Sequence, residues 1–460
     1  MLDIPFATAT ELTAAIRERS LSSLEVIDAY LAQIERLNPA LNAVVTLDAV
    51  GARRRAMEAD AALARGEVWG PLHGLPVTLK DAHSTAGMRT TAGYPPLADY
   101  VPESDGSVAG LLRGAGAIIM GKTNVSLLMR DIQSDNPIFG RANNPWNLER
   151  TPGGSSGGAA AALASGLSPL DIGSDLAGSI RIPAAFCGVY GLKPTEHRVS
   201  LAGHIAAPPG TPRTDRILWA TGPLARSVDD LALAFRVIAR PVPESPEVPP
   251  VSMPNLPRPE LSDLRIAWAP AFPGLPVAGA IRAALHGLAA ELARRGARVE
   301  ERLPDLDFAE QDRLRYRLAQ TMSAVAQDDE GEPMSLPDYL DALDRRDAYI
   351  AEWERFFAGW DVLVCPTTAT TAFAHTPTET PVPLDGEPVA YWLNTQYCRP
   401  FNFTGHPVVA IPVGLDPDGL PIGVQVVGHR WLDERLLAAA ARIAEVAGPF
   451  RRPPIAGPDP

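Results

Sequence analysis

Apolar residues at Val26, Ile27, Tyr30, Leu31, Ile34 and Leu37 recur at helical spacing, and Ser22 with Glu25 supplies a capping-box start. This predicts one of two helices in an N-terminal segment, 1–65, and Asn38-Pro39 is expected to end it. From Gly74 the pattern changes to short apolar runs, glycine-rich turns and alanine-rich stretches. Val77-Thr78-Leu79, Ala117-Ile118-Ile119-Met120 and Arg265-Ile266-Ala267-Trp268 read as strands. Ile281, Leu285, Leu288 and Leu292 mark a helix stopping at Gly296, with a strand at Arg298-Val299-Glu300 after it, as in an α/β crossover. Further strands are expected at Asp361–Val364, Val408–Ile411 and Val424–Val427, and a last helix over Asp433–Val446, before Gly448-Pro449.

The proline-rich stretch 241–260 reads as an extended surface crossing rather than a domain boundary, because strands on its two sides can share a sheet. The expected organisation is one unit over 1–460: helices in 1–65, a core over 66–230, the crossing, and a C-terminal half over 261–460. The predicted fold class is α/β, with one large mixed sheet covered by helices on both faces.

Of the 460 residues, 46% are hydrophobic and 21% charged, the balance of a globular chain. A net charge of −13 without a basic stripe argues against nucleic acid as a partner. Met1–Ala9 has neither a basic start nor an apolar run, so no secretory signal is expected. No apolar run approaches the roughly 20 residues that span a bilayer, so no membrane partner is expected. Three widely spaced cysteines, Cys187, Cys365 and Cys398, suggest reduced thiols in the cytoplasm. His197 and His204 lack metal-ligand spacing, and neither a metal nor a cofactor is expected.

Three motifs compete in the first half. Gly116–Thr123 fits the phosphate-binding pattern G-x-x-x-x-G-K-[ST], but its four intervening residues are apolar and read as a buried strand, not a loop around a phosphate. Gly153-Gly154-Ser155-Ser156-Gly157 fits the G-x-S-x-G nucleophile elbow of α/β-hydrolases, which would make Ser155 the nucleophile of an esterase. That elbow must follow a strand directly, and Asn143–Pro152 is polar with two prolines. The third reading takes a wider span. Lys80 ends the apolar run Pro76–Leu79, the Gly153–Gly158 run follows, and then Asp175-Leu176-Ala177-Gly178-Ser179-Ile180-Arg181.

In residue type and spacing this third pattern resembles the amidase signature family. Gly121–Asn124, Asn143–Trp146, Gly191–Thr195, Gly222–Leu224, Asn402–Pro407 and Gly419–Gln425 match as well, so the resemblance spans nearly the whole chain. It implies a serine amidohydrolase without a catalytic histidine. Ser179 would be the nucleophile, Lys80 the base, and Ser155, after a cis peptide bond, the bridge between them. It further implies an oxyanion hole from the backbone amides of Leu176, Ala177, Gly178 and Ser179, with support from Ser156, Ser174, Asp175 and Arg181. A local Asp175–Arg181 ion pair would hold the loop. Family members usually carry Gly-Gly-Ser where this chain has Ala177-Gly178-Ser179, and the alanine fits if its φ is negative.

Leu127-Leu128-Met129 resembles the segment lining the acyl pocket of fatty-acid-amide-cleaving relatives, and Leu128 and Met129 are the candidate pocket residues. Helix core is the plainer reading for Leu127 and Leu128. Arg130 and Asp131 stand side by side, so the expected substrate is a small neutral amide, anilide or aryl carbamate (urethane), cleaved by a monomer or homodimer. The family also contains the glutaminase subunit of tRNA-dependent amidotransferases, which is the alternative function.

Overall fold

The computed structural model describes residues 2–205, 211, 213–326 and 332–457. Its strands are β1 (Val44–Leu47), β2 (Pro76–Lys80), β3 (Ile118–Thr123), β4 (Leu170–Asp175), β5 (Tyr190–Lys193), β6 (Ala220–Ala225), β7 (Arg265–Trp268), β8 (Arg298–Glu301), β9 (Val362–Pro366), β10 (Val382–Leu384), β11 (Glu387–Val389), β12 (Val408–Leu415) and β13 (Pro421–Val427). Eleven of them form one sheet in the order β1-β3-β2-β4-β6-β5-β12-β13-β9-β7-β8, and β10 pairs only with β11. Every residue of β2, β3, β4, β6 and β13 is buried, which requires cover on both faces of the sheet. The mixed α/β class expected from the sequence is the one observed.

The sheet runs through both halves of the chain. β5 pairs antiparallel with β12, with Val408 opposite Lys193, so strands before and after the proline-rich crossing are hydrogen-bonded neighbours. The crossing itself lies along the surface. Arg442 Nε donates to the Pro259 carbonyl at 2.8 Å, and Ser200 and Ser245 hydroxyls meet at 2.5 Å. No helix among the described residues is long and apolar enough to cross a membrane.

The N-terminal segment departs from the expected two helices. Three are present, Ala9–Arg17, Ser23–Leu41 and Ala49–Ala64, with the edge strand β1 between the last two. The second opens with the Ser22–Glu25 capping box but does not stop at Asn38-Pro39. It runs to Leu41, where Asn42 takes a left-handed cap and donates its N–H to the Asn38 carbonyl at 2.7 Å. The Asn38 side chain accepts from the amides of Ala43 and Val44, and this satisfies the turn that leads into β1.

The phosphate-loop pattern runs into β3, which takes up its last six residues, and all of it is buried. Lys122 donates to the His83 carbonyl and to the Thr90 hydroxyl at 3.0 Å, so it is a satisfied core lysine. The serine-elbow pattern has no strand directly before it. Residues 145–153 are irregular, and Ser155 is followed by the helix Gly157–Ala164.

Candidate active site

β2 and β4 are parallel neighbours, and their C-terminal ends bring Lys80 beside Ser174 and Asp175. Lys80 is fully buried. Its Nζ lies 2.7 Å from Ser155 Oγ, 3.1 Å from Ser174 Oγ and 3.4 Å from the Ser174 carbonyl. Burial presses its pKa down to about 7 against the pull of Asp175 and Asp171. The amine therefore loses its proton far more readily than an ordinary lysine, which gives it a lone pair within reach of neutral pH.

The Gly154–Ser155 peptide bond is cis. A side chain at Gly154 would meet Asp131 O at 2.7 Å and Gln133 N at 2.8 Å, so only glycine lets these two loops touch. Ser134, which sequence reasoning missed, ties the turn down. Its hydroxyl lies within 3.2 Å of the Gly153 and Ser155 carbonyls and accepts from Gly157 N at 2.8 Å. Ser156 donates its amide to the Ser179 carbonyl at 3.1 Å, linking the two serine-bearing turns.

The segment after β4 is shaped by one buried ion pair. Arg181 grips Asp175 through two nitrogens, at 2.9 and 3.0 Å, and neither side chain is exposed to solvent. Burial alone would raise the Asp175 pKa, but the Arg181 charge and hydrogen bonds from Arg181 and Asn402 hold it well below the usual carboxylate range. Arg181 also reaches the Cys398 carbonyl and Gln425 Oε1, both at 3.0 Å, and Asn402 Oδ1 at 2.5 Å. Asn402 returns a bond to Asp175 Oδ1 at 2.9 Å. Asn402 and Gln425 fall within the matched stretches of the C-terminal half, yet nothing local in the sequence assigns them to this network.

Asp175 Oδ1 accepts the amide of Gly178 at 2.8 Å and Oδ2 that of Ile180 at 3.1 Å. Gly178 is thus not available as an oxyanion donor, because the carboxylate that shapes the loop has taken its N–H. Its role is conformational. At φ +110° a side chain would meet Ile182 Cδ1 at 2.8 Å and Cys398 Sγ at 2.9 Å. Ala177 has a negative φ, which an alanine accommodates without strain. Ser179 is half-buried, and its hydroxyl makes no hydrogen bond among the described residues.

Ser179 opens onto a cleft of about 650 Å³, with Leu176 and Ala177 beside it and Leu128, Met129, Ile132, Trp219 and Trp392 among its walls. The plainer helix-core reading of Leu127 and Leu128 does not hold. Leu127–Met129 is a single tight turn, and Leu128 and Met129 have φ of 46° and 61°. Left-handed backbone at two non-glycine residues is costly and gathers at functional loops. It turns Leu128 and Met129 into the cleft and leaves Leu127 40% exposed.

His204 is a neighbour that histidine spacing did not reveal. Its Nε2 lies 2.9 Å from Ser174 Oγ, and its ring meets Trp219 edge-on at 5.3 Å. Desolvation, and then the charge of Lys80, bring its pKa down to about 3, so it is neutral. His204 and Lys80 thus meet the same Ser174 hydroxyl, so His204 helps hold the group that positions the Lys80 amine. His204→Leu is expected to lower kcat about tenfold, some 1.4 kcal/mol, with a smaller change in KM, and His204→Asn is expected to restore much of it. Steady-state kinetics on one anilide check this, and equal kcat for all three proteins would remove His204 from the site.

The sequence is similar to known proteins over nearly its whole length. A family model described as Amidase matches residues 25–343 and 329–437. The chain is 33% identical to a component of the glutamyl-tRNA(Gln) amidotransferase of Moorella thermoacetica, over 99% of this chain and all of that protein. It is also 33% identical to an acylamidase of Rhodococcus erythropolis, over 96% of each. Among solved structures, a bacterial aryl acylamidase of the amidase signature family superposes with a TM-score of 0.85 at 26% identity, covering 99% of both chains. With the matched model covering most of its length, this chain belongs to the amidase signature family of amide hydrolases.

Proposed function

We propose that the protein hydrolyses carboxylic amides through an acyl-enzyme on Ser179, with Ser155 and Lys80 as the proton path. The observation that carries this reading is the desolvated Lys80, held 2.7 Å from Ser155, on a turn whose next residue, Ser156, donates its amide to the carbonyl of the cleft-lining Ser179. A serine hydroxyl needs an adjacent base to attack a carbonyl. Ser179 Oγ attacks the amide carbon and passes its proton to Ser155, whose own proton goes to Lys80 Nζ. The oxyanion settles against the amides of Leu176, Ala177 and Ser179, preorganised by the loop that Asp175 and Arg181 hold. Lys80 then returns its proton through Ser155 to the departing nitrogen, and the C–N bond breaks. Water activated along the same path cleaves the ester on Ser179.

The reacting end of the substrate is a neutral, apolar or aromatic group, which the walls Leu128, Met129, Ile132, Trp219 and Trp392 suit. Met129, flexible and polarizable, fits an aryl ring. Anilides and aryl carbamates share the required tetrahedral oxyanion, and both are proposed substrates.

A second reading, the glutaminase component of a tRNA-dependent amidotransferase, is favoured by the full-length similarity to such a protein. The two readings part on kcat/KM for a neutral anilide, an aryl carbamate and glutamine. The amidase reading predicts the anilide or carbamate ahead. A preference for glutamine of more than about tenfold, or 1.4 kcal/mol in transition-state binding, would select the glutaminase.

A further inference from the structure

Besides Arg130, beside the pocket turn, two arginines line the Ser179 cleft from elements remote in sequence. Arg315 projects from the helix Phe308–Ala326, and Arg399 begins the helix Arg399–Phe403, next to the Cys398 carbonyl that Arg181 holds. Arg315 is only 5% exposed, yet its Nε has no hydrogen-bond partner, and its nearest acid, Asp312, is 3.6 Å away. Arg399 reaches the same Asp312 at 3.1 Å through Nη1, and its Nε is likewise unpartnered. One partly exposed carboxylate thus serves two guanidinium groups.

The other acids of the cleft are largely engaged elsewhere. Asp131 accepts from the Tyr391 and Thr378 hydroxyls and from Ile132 N. Asp215 pairs with Arg213 at 3.0 Å. Glu379 also lines the cleft, but it forms no ion pair with either arginine among the described residues. Buried donors left unmet in a native protein call for an explanation, and a planar guanidinium pair matches a carboxylate in charge and in geometry.

We propose that Arg315 and Arg399 form a carboxylate subsite, so that the preferred substrate is an amide with a carboxylate at the end away from the scissile bond. This deepens the amidase reading and rests on it, since the subsite shares the cleft of Ser179. The neutral character expected of the substrate then belongs to its reacting end. Burial and the neighbouring Arg399 press the Arg315 pKa to about 9, which leaves it charged at neutral pH and ready for an anion.

The test separates binding from turnover. In Ser179→Ala protein, calorimetry compares glutaric acid mono-4-nitroanilide with its methyl ester, for a carboxylate on the acyl side. It compares 4-acetamidobenzoate with its methyl ester, for one on the amine side. The acid is expected to bind at least about tenfold tighter than its ester in one of the two pairs. Adding Arg315→Gln, or Arg399→Gln where the first does not fold, should bring that preference below about threefold. Esters binding as well as acids in both pairs would overturn the subsite, as would a preference undiminished by the substitution. Wild-type turnover of neutral 4-nitroacetanilide is measured alongside. Turnover with no acid preference removes the subsite and keeps the amidase, whereas acid preference with no hydrolysis of any of these amides keeps the subsite and removes the amidase.

Discussion

Lys80→Ala is expected to lower kcat/KM on an anilide by about 10³-fold, the loss of a positioned proton acceptor, while the protein still unfolds cooperatively. Lys80→Arg should be as inactive, although it keeps the length and the charge, because a guanidinium does not give up its proton. The pH dependence has a definite sign. The active form is the neutral amine, and the Lys80 pKa is about 7. The wild-type rate therefore rises with pH through that value and levels off above it. Both substituted proteins should lack that rise. Lys122 is the internal control, a second buried lysine, pressed by burial to about 8 and bonded to His83 O and Thr90. Lys122→Ala should lower thermal stability, and there is no phosphate loop whose nucleotide affinity it would remove. Wild-type rates in Lys80→Ala would refute the proton path.

The second large effect concerns the loop beneath the oxyanion donors. Arg181→Met should leave Asp175 charged, buried and without the two hydrogen bonds that Arg181 donates to it. The contacts that tie Asn402, Gln425 and the Cys398 carbonyl to the same guanidinium go with them. Removing one partner of such a pair costs about 3–5 kcal/mol, or on the order of 3–5 °C in a chain of this size. The activity loss should exceed what stability explains, because Asp175 also fixes the amides of Gly178 and Ile180 beside Ser179. The Asp175 pKa is depressed, so this pair stabilises the wild type above the ordinary carboxylate range near pH 4. That contribution is lost as pH falls toward the folded-state value. Thermal unfolding at neutral pH, with activity measured well below the transition, checks both parts. An unchanged Tm would mean that the network does not support the fold.

What could be read from the sequence follows from how local each signal is. Lys80, Ser155 and Ser179 stand in glycine-rich or strand-end contexts whose spacing is characteristic, and Asp175 and Arg181 are six residues apart on one turn. The Lys80–Ser155 and Asp175–Arg181 contacts were legible for that reason. The strands β4, β5 and β6 were not read as strands. They are buried on both faces, so they show no alternation of apolar and polar positions. The strand β1 was missed because it is four residues long and follows a helix that proline was expected to end sooner. Leu128 and Met129 were placed in the pocket by resemblance, but their left-handed backbone leaves no mark on residue type. Arg315, Arg399 and His204 reach the site only through tertiary placement, from two helices and a loop scattered over the chain. Reading charge at Arg130-Asp131 alone suggested a site without a cation to spare, since the other two arginines lie far along the sequence.

The central claim is that Ser179, not Ser155, is the nucleophile, and its most direct test is the mass of a covalently trapped enzyme. A fluorophosphonate is incubated with the wild type, Ser179→Ala and Ser155→Ala, and the adduct is located by peptide mapping. The proton path through Lys80 and Ser155 predicts one adduct on the peptide that contains Ser179, slower labelling of the same peptide in Ser155→Ala, and none in Ser179→Ala. An adduct on Ser155 that survives in Ser179→Ala would contradict it and restore the serine-elbow reading.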